Sequence, residues 1–297
     1  MENVVKVDKI SFRFTGILAL LLALSLLIAP RISTAHESPV KSNVIKFLVF
    51  PYQSPRAIIE IYGPVGARLE KKTGKKVEIF SAPDAKSFLE KARSGEYDLL
   101  HASPTTYYKL RSGGYKVIAQ GVPQFYGGVI VRQESEIKTI EDLKGKKVAA
   151  IGDYSYAGYQ FILPQLVAKG INPQNDVGFN FLEKADSVIY GVINKKYDAG
   201  ILRLDALDRP AFAAVKELLR VVVRSPEIPQ FPFVVQSSMD TVTSAGIQEA
   251  LTAISPERPE DHDLLQKMQI EKIVMVTDAD YDAFYEQIKD ADFFKQP

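Results

Sequence analysis

The sequence predicts an α/β protein of two lobes, each a mostly parallel sheet flanked by helices, with two extended strands crossing between them. Three observations carry that expectation. Short β-branched and aromatic runs alternate with helical periodicity between residues 44 and 224, the pattern of strands that return in parallel through helices. Pro226, Pro229 and Pro232 then mark a stiff connection. The tail from Asp240 is mostly helical with one strand-like run, Lys272–Val276, so the first lobe is expected to be discontinuous.

Taken in order, Val44–Phe50 reads as a strand. Pro55 opens a helix as its first-turn residue, and Ile58, Ile59, Tyr62, Val65 and Leu69 recur at helical spacing until Gly74. Val77–Phe80 is a strand, and Asp84 caps a helix carrying Phe88, Leu89 and Ala92 that stops near Gly95. Tyr97–Ala102 is a strand, Pro104 starts another helix, and Val117–Ala119 is a strand again. Gly127-Gly128 precedes the strand Val129–Arg132. Thr139-Ile-Glu-Asp142 has the spacing of a capping box, with Asp in place of Glu or Gln.

The rhythm continues with a strand at Val148–Ile151, a helix from Ala157 to Lys169 and a strand at Phe179–Leu182. A helix at Val188–Asn194, a strand at Asp198–Leu202, a helix over Asp205–Leu218 and strands at Arg220–Arg224 and Phe233–Gln236 follow. The crossings are expected near Gly128–Arg132 and Arg224–Val235. The organisation is then a signal peptide at 1–35, the first part of lobe one at 44–128, lobe two at 129–224, and the return to lobe one at 225–297.

Composition narrows the function. The 297 residues carry a net charge of +1. Removing 1–35 takes away four cations (Lys6, Lys9, Arg13, Arg31) and two anions (Glu2, Asp8), which leaves −1. A near-neutral body argues against a nucleic-acid binder, which uses a basic surface to displace counterions. The sequence has no cysteine, hence no disulfide, thiolate metal site, cysteine nucleophile or lipidated N-terminal Cys. Its three histidines, His36, His101 and His262, lack metal-ligand spacing, and no cofactor is expected.

The N-terminus has the secretory layout. Lys6, Lys9 and Arg13 precede the uncharged run Gly16–Ala29, Pro30 breaks it, and Ser33-Thr34-Ala35 supplies small residues for cleavage. An uncleaved anchor is the alternative; either places the rest of the chain outside the cytoplasm.

A series of short motifs runs through the chain. Pro51-Tyr-Gln-Ser-Pro55 leads to a helix ending Leu69-Glu-Lys-Lys-Thr-Gly-Lys-Lys-Val77. Ala92-Arg-Ser-Gly-Glu-Tyr-Asp98 precedes Ala102-Ser-Pro-Thr105, and Asp142-Leu-Lys-Gly-Lys-Lys-Val148 precedes Gly158-Tyr159 and Pro164. Lys169-Gly-Ile-Asn-Pro173, Lys196-Tyr-Asp-Ala-Gly200 and Ile228-Pro229 complete the set. In this order the fragments resemble phosphate/phosphite/phosphonate-type ABC-transporter binding proteins over nearly all of the chain beyond the signal. The resemblance implies the type 2 periplasmic-binding fold, closure on a small anion or zwitterion, an inner-membrane ABC permease as partner, and a monomer. In that family a Ser/Thr-rich turn after the Asp-Leu-Lys-Gly helix grips the anion. Here it reads Gly152-Asp-Tyr-Ser-Tyr-Ala-Gly158, and a His-Asp pair common in the next turn stands as Ala185-Asp186.

Candidate ligand contacts follow from where strands end. Ser103-Pro104-Thr105-Thr106 begins a helix in lobe one and Ser155-Tyr156-Ala157 begins one in lobe two, where hydroxyls and helix-start N–H groups can meet an anion. Both are equally good as simple caps. Tyr52 follows the first strand and offers a ring face with a hydroxyl. Tyr156 is the better cleft candidate than Tyr159. Arg203 either clamps an oxyanion or pairs with Asp205 or Asp208. Asp205, like Asp153, would favour a zwitterion by accepting from a ligand amine. His101 lies beside Ser103, but no Gly-x-Ser-x-Gly elbow surrounds Ser103 or Ser155, so the chain is read as a non-enzyme. A ligand-presenting sensor for a membrane kinase, and a carboxylate ligand, stay open as alternatives.

Overall fold

The computed structural model describes residues 43–289; the expected signal peptide, with His36, lies outside them. Eleven strands fall into two sheets among the described residues. The first contains β1 (Val44–Val49), β2 (Lys76–Phe80), β3 (Leu99–His101), β4 (Tyr115–Val122), β10 (Pro232–Gln236) and β11 (Lys272–Met275), in the order β11-β4-β10-β3-β1-β2. The second contains β5 (Gly127–Arg132), β6 (Lys147–Ala150), β7 (Gly178–Phe181), β8 (Ala199–Arg203) and β9 (Leu219–Arg224), in the order β7-β6-β8-β5-β9.

Both sheets are mixed rather than mostly parallel. β1 pairs in parallel with β2 and β3, and β6 with β7 and β8. β10 and β5 run antiparallel to their neighbours because each enters its sheet from a crossing instead of through a covering helix.

Successive strand residues serve opposite faces, and both faces are buried. Phe47 and Val49 pack under α1 (Pro55–Thr73), α6 (Thr241–Thr252) and α7 (His262–Met268) with Ile58, Tyr62, Ile247 and Leu264. Leu48 and Phe50 join Phe88 of α2 (Ala85–Arg93), Tyr107 of α3 (Pro104–Tyr108) and Phe284 of α8 (Asp282–Ile288) on the other side. In the second sheet Val129 and Val131 face Leu166 of α4 (Ile162–Ala168), while Ile130 faces Val188 of α5 (Ala185–Ile193). Burial on both faces explains why these strands read as continuous apolar runs.

Several helix starts form as expected. Ser54 and Asp84 accept from the N–H groups of Ala57 and Ser87, and Pro55 occupies the first turn of α1. Other expectations fail locally. The Asp142 carboxylate accepts from the N–H groups of Lys138 and Thr139 and closes a tight turn, so only Glu141–Leu143 winds, as a 3-10 turn. The helix expected over Asp205–Leu218 breaks into 3-10 turns at Leu204–Asp208, Pro210–Phe212 and Lys216–Leu218, because Pro210 cannot donate within a helix. The segment expected to begin a helix at Ala157 opens instead with a π-helical turn, Tyr156–Gln160, before α4. Gly128–Arg132, expected as the first crossing, lies within β5.

The chain passes between the sheets at 123–126 and again at 225–231. These two segments pair with each other. Phe125 and Ile228 exchange both backbone hydrogen bonds, at 3.0 and 2.8 Å, and Gly127 N–H donates to Ser225 Oγ at 2.8 Å. Gln230 Nε2 donates to the Pro123 carbonyl, and the Tyr281 hydroxyl donates to the Gln230 carbonyl. The connection is therefore a short hydrogen-bonded ribbon.

Candidate functional site

The ends of β1, β3 and β8 and the second crossing meet around a small void of about 20 Å³, room for about one water. Its lining includes Tyr52, His101, Arg203, Gln230 and Phe231, with Met268 from the end of α7 and Ile270 just after it. Two of the residues singled out in the sequence, Tyr52 and Arg203, thus reach one place from different sheets.

His101 organises the first-sheet side. It is buried, its ring lies 4.3 Å from that of Phe233, and its Nδ1 is 2.6 Å from the Tyr62 hydroxyl. A hydrogen bond with the Phe231 backbone acts on the same ring. Tyr62 in turn lies 3.0 Å from the Tyr52 hydroxyl. Burial lowers the His101 pKa to about 3, and the nearby Arg203 charge adds to that, against the Phe231 hydrogen bond. The imidazole is neutral at physiological pH. Burial also raises the pKa of Tyr52 and Tyr62, which stay protonated.

Arg203 is gripped from three directions. Its Nε donates to both Asp205 oxygens at 2.7 and 2.8 Å, and its Nη2 donates to Asp205 Oδ2 at 2.6 Å. Nη2 also donates to Gln230 Oε1 at 3.1 Å, and the guanidinium carbon lies 3.8 Å from the Phe125 ring centroid. Of the two roles weighed for Arg203, pairing with Asp205 is the one adopted. Asp205 gains a further tie through its backbone carbonyl, which accepts from Gln269 Nε2 at 2.9 Å. Gln269 closes α7 in the left-handed region, φ 57°, and so links the segment after α7 to the exit of β8.

The two Ser/Thr turns are helix caps. Ser103 Oγ accepts from Thr106 N–H at 3.2 Å and lies 2.7 and 3.3 Å from the Thr106 and Thr105 hydroxyls, all three residues being buried. Ser155 Oγ accepts from Gly158 N–H at 3.1 Å. A capping serine accepts with a lone pair and retains a proton to donate. Around the second turn the aromatic residues diverge. Tyr156 packs edge-on against Phe284 at 5.2 Å, Tyr154 reaches Phe50 at 6.4 Å, and Tyr159 packs between Phe179 and Phe181. Tyr154 and Tyr156 thus carry contacts from the second sheet to the first.

Sequence reasoning missed Phe125, Gln230 and Phe231, and it weighed His101 only as a neighbour of Ser103. The Ile228-Pro-Gln-Phe-Pro232 segment was a signal, since a proline-stiffened crossing holds intervening side chains in place. A second hollow, about 230 Å³, lies between the first crossing and the second sheet. Its lysine, Lys216, is paired with Asp208, and Arg224 lies over the Tyr126 ring. It draws no residue from the first sheet, so the smaller void is the better candidate.

A sequence model described as "ABC transporter, phosphonate, periplasmic substrate-binding protein" matches residues 47–281. The phosphonates-binding periplasmic protein of Escherichia coli K12 is 24% identical over 251 residues, which is 80% of this chain and 73% of that protein. The phosphate-import protein PhnD of Mycolicibacterium smegmatis is 26% identical over 151 residues, and the match spans 48% of this chain and 46% of that protein's length. Prochlorococcus marinus PhnD1, solved with methylphosphonate, shares the fold with a TM-score of 0.73 at 15% identity, covering 83% of this chain and 97% of that one. The binding component of a Pseudomonas aeruginosa phosphonate transporter gives 0.71 at 18%, covering 83% and 85%. The chain belongs to the family of periplasmic substrate-binding proteins of phosphonate ABC transporters.

Proposed function

We propose that the protein captures a small phosphonate- or phosphate-like oxyanion between its two lobes and delivers it to an inner-membrane ABC permease. Family membership gives the coarser role: a substrate-binding component of an importer that works outside the cytoplasm, with a small molecule and a permease as partners. The observation that carries the finer reading is the convergence of Tyr52 and Arg203, one from each sheet, with Gln230 and Phe231 of the crossing on a single small void.

In this reading lobe two is carried on the paired crossings, and its turn with Ser155 and Tyr156 closes toward Ser103, Thr105 and Thr106. Ser103 and Ser155 donate hydroxyl protons to the oxyanion, Arg203 supplies positive charge, and Tyr52 covers one side. Asp205 holds Arg203 in position. Closure removes water from the site and strengthens each hydrogen bond to the anion, while the closed shape is what a permease selects. The chemistry is binding, without turnover. The N-terminal segment exports the chain to the periplasm, and the protein acts as a monomer.

Native mass spectrometry of protein purified from its own periplasm tests this reading. The expected spectrum carries an added mass that matches a small oxyanion and is lost in Ser155→Ala. A bound neutral sugar or a cationic amine would overturn the reading.

A further inference from the structure

Asp205 decides whether the ligand can carry a positive group as well as a negative one. An ammonium-bearing ligand needs a carboxylate to accept from it, and Asp205 is the acid bonded to Arg203, the void's one cationic side chain. Both of its side-chain oxygens are already committed to Arg203, at 2.6 to 2.8 Å. Arg203 cannot easily swing away, since Phe125 stacks on it and Gln230 accepts from it. The residues lining the void include no carboxylate. Tyr52, Phe231, Met268 and Ile270 contribute wall surface suited to hydrocarbon, beside Gly121 and Gln230. His101 lies buried and hydrogen-bonded to Tyr62, and it offers no negative charge.

Building on the oxyanion reading above, we propose that the Arg203–Asp205 pair is the specificity determinant of the cleft. It admits oxyanions with an uncharged, apolar substituent and rejects those with an ammonium group. A free carboxylate at that position would accept a zwitterion. Paired with Arg203, its charge is offset, and the pair offers an ammonium little attraction to repay its desolvation.

Calorimetry with inorganic phosphate and two isosteric ligands, propylphosphonate and 2-aminoethylphosphonate, tests the inference. Propylphosphonate should bind about tenfold or more tightly than 2-aminoethylphosphonate. Arg203→Gln frees the carboxylate, and the ratio should fall by about tenfold or reverse. Asp205→Asn leaves Arg203 uncompensated, and the ratio should rise. Thermal melts check that each variant folds; if Arg203→Gln does not, the native ratio and the Asp205→Asn ratio decide. Equal or tighter binding of 2-aminoethylphosphonate by the native protein overturns the inference alone. Absence of binding by all three ligands overturns the oxyanion reading as well.

Discussion

Lowering the pH from 7.5 to 5 should destabilise the protein through His101, by an amount the structure sets. In the unfolded chain the imidazole titrates near its ordinary 6.5, whereas in the folded protein burial holds it at about 3. Between those values the unfolded state binds a proton that the native state does not, so stability rises with pH and is lost as pH falls. At pH 5 the unfolded histidine is almost fully protonated and the folded one almost fully neutral. The difference from pH 7.5 is about 2 kcal/mol, from about 1.4 kcal/mol per pH unit over the 1.5 units below 6.5. Asp84, Asp142, Asp261 and Asp280 have lowered pKa values, so they stay ionised through this window. Urea unfolding at several pH values, on the native protein and His101→Gln, isolates the effect as the difference between two curves. Parallel curves between pH 7.5 and 5 would refute the account of His101 as a buried neutral base.

Four further outcomes follow from particular contacts. A methyl group at position 127 would sit 2.4 Å from the Ala157 carbonyl oxygen and 2.8 Å from its Cα, so Gly127→Ala must displace the Ser155 turn. The expected cost is about 1–3 kcal/mol in urea unfolding, with weaker anion binding. Asp261 is fully buried, paired with Arg68 and accepting from Ser255 N–H at 3.0 Å; Asp261→Ala strands that cation and should cost about 3 kcal/mol. Gln269→Ala removes the side-chain bond to the Asp205 carbonyl and should weaken ligand affinity by about 1 kcal/mol in calorimetry. Ser155→Ala should weaken oxyanion binding more than Ser135→Ala, because Ser135 caps only the local turn to Ile137; equal effects would remove Ser155 from the site.

Much of the fold could be read because its signals are local. Ser54-Pro55 and Asp84 announce helices through caps, and the Val129–Arg132 run announces a strand buried on both faces. The failures have a common cause in longer-range or competing interactions. Asp142 spends its carboxylate on the turn before it, and β5 and β10 run antiparallel because of where the crossings deliver them. At the candidate site, Tyr52 and Arg203 were readable from their positions after strands. The His101–Tyr62–Tyr52 chain was not, because it joins residues 39 and 10 apart that only the packing of α1 on the sheet brings together. Arg203 had two plausible partners in sequence, and the choice of Asp205 with Gln230 depends on the second crossing, 27 residues on.

Thermal unfolding with and without ligand tests most directly whether the cleft holds an oxyanion. A ligand at one hundred times its Kd stabilises the folded state by about 2.7 kcal/mol, which for a domain of this size raises Tm by roughly 5–10 °C. Phosphate, methylphosphonate or propylphosphonate should each give such a rise, and Ser155→Ala should abolish it. A cooperative melt whose midpoint stays fixed across the whole oxyanion panel would contradict the oxyanion reading.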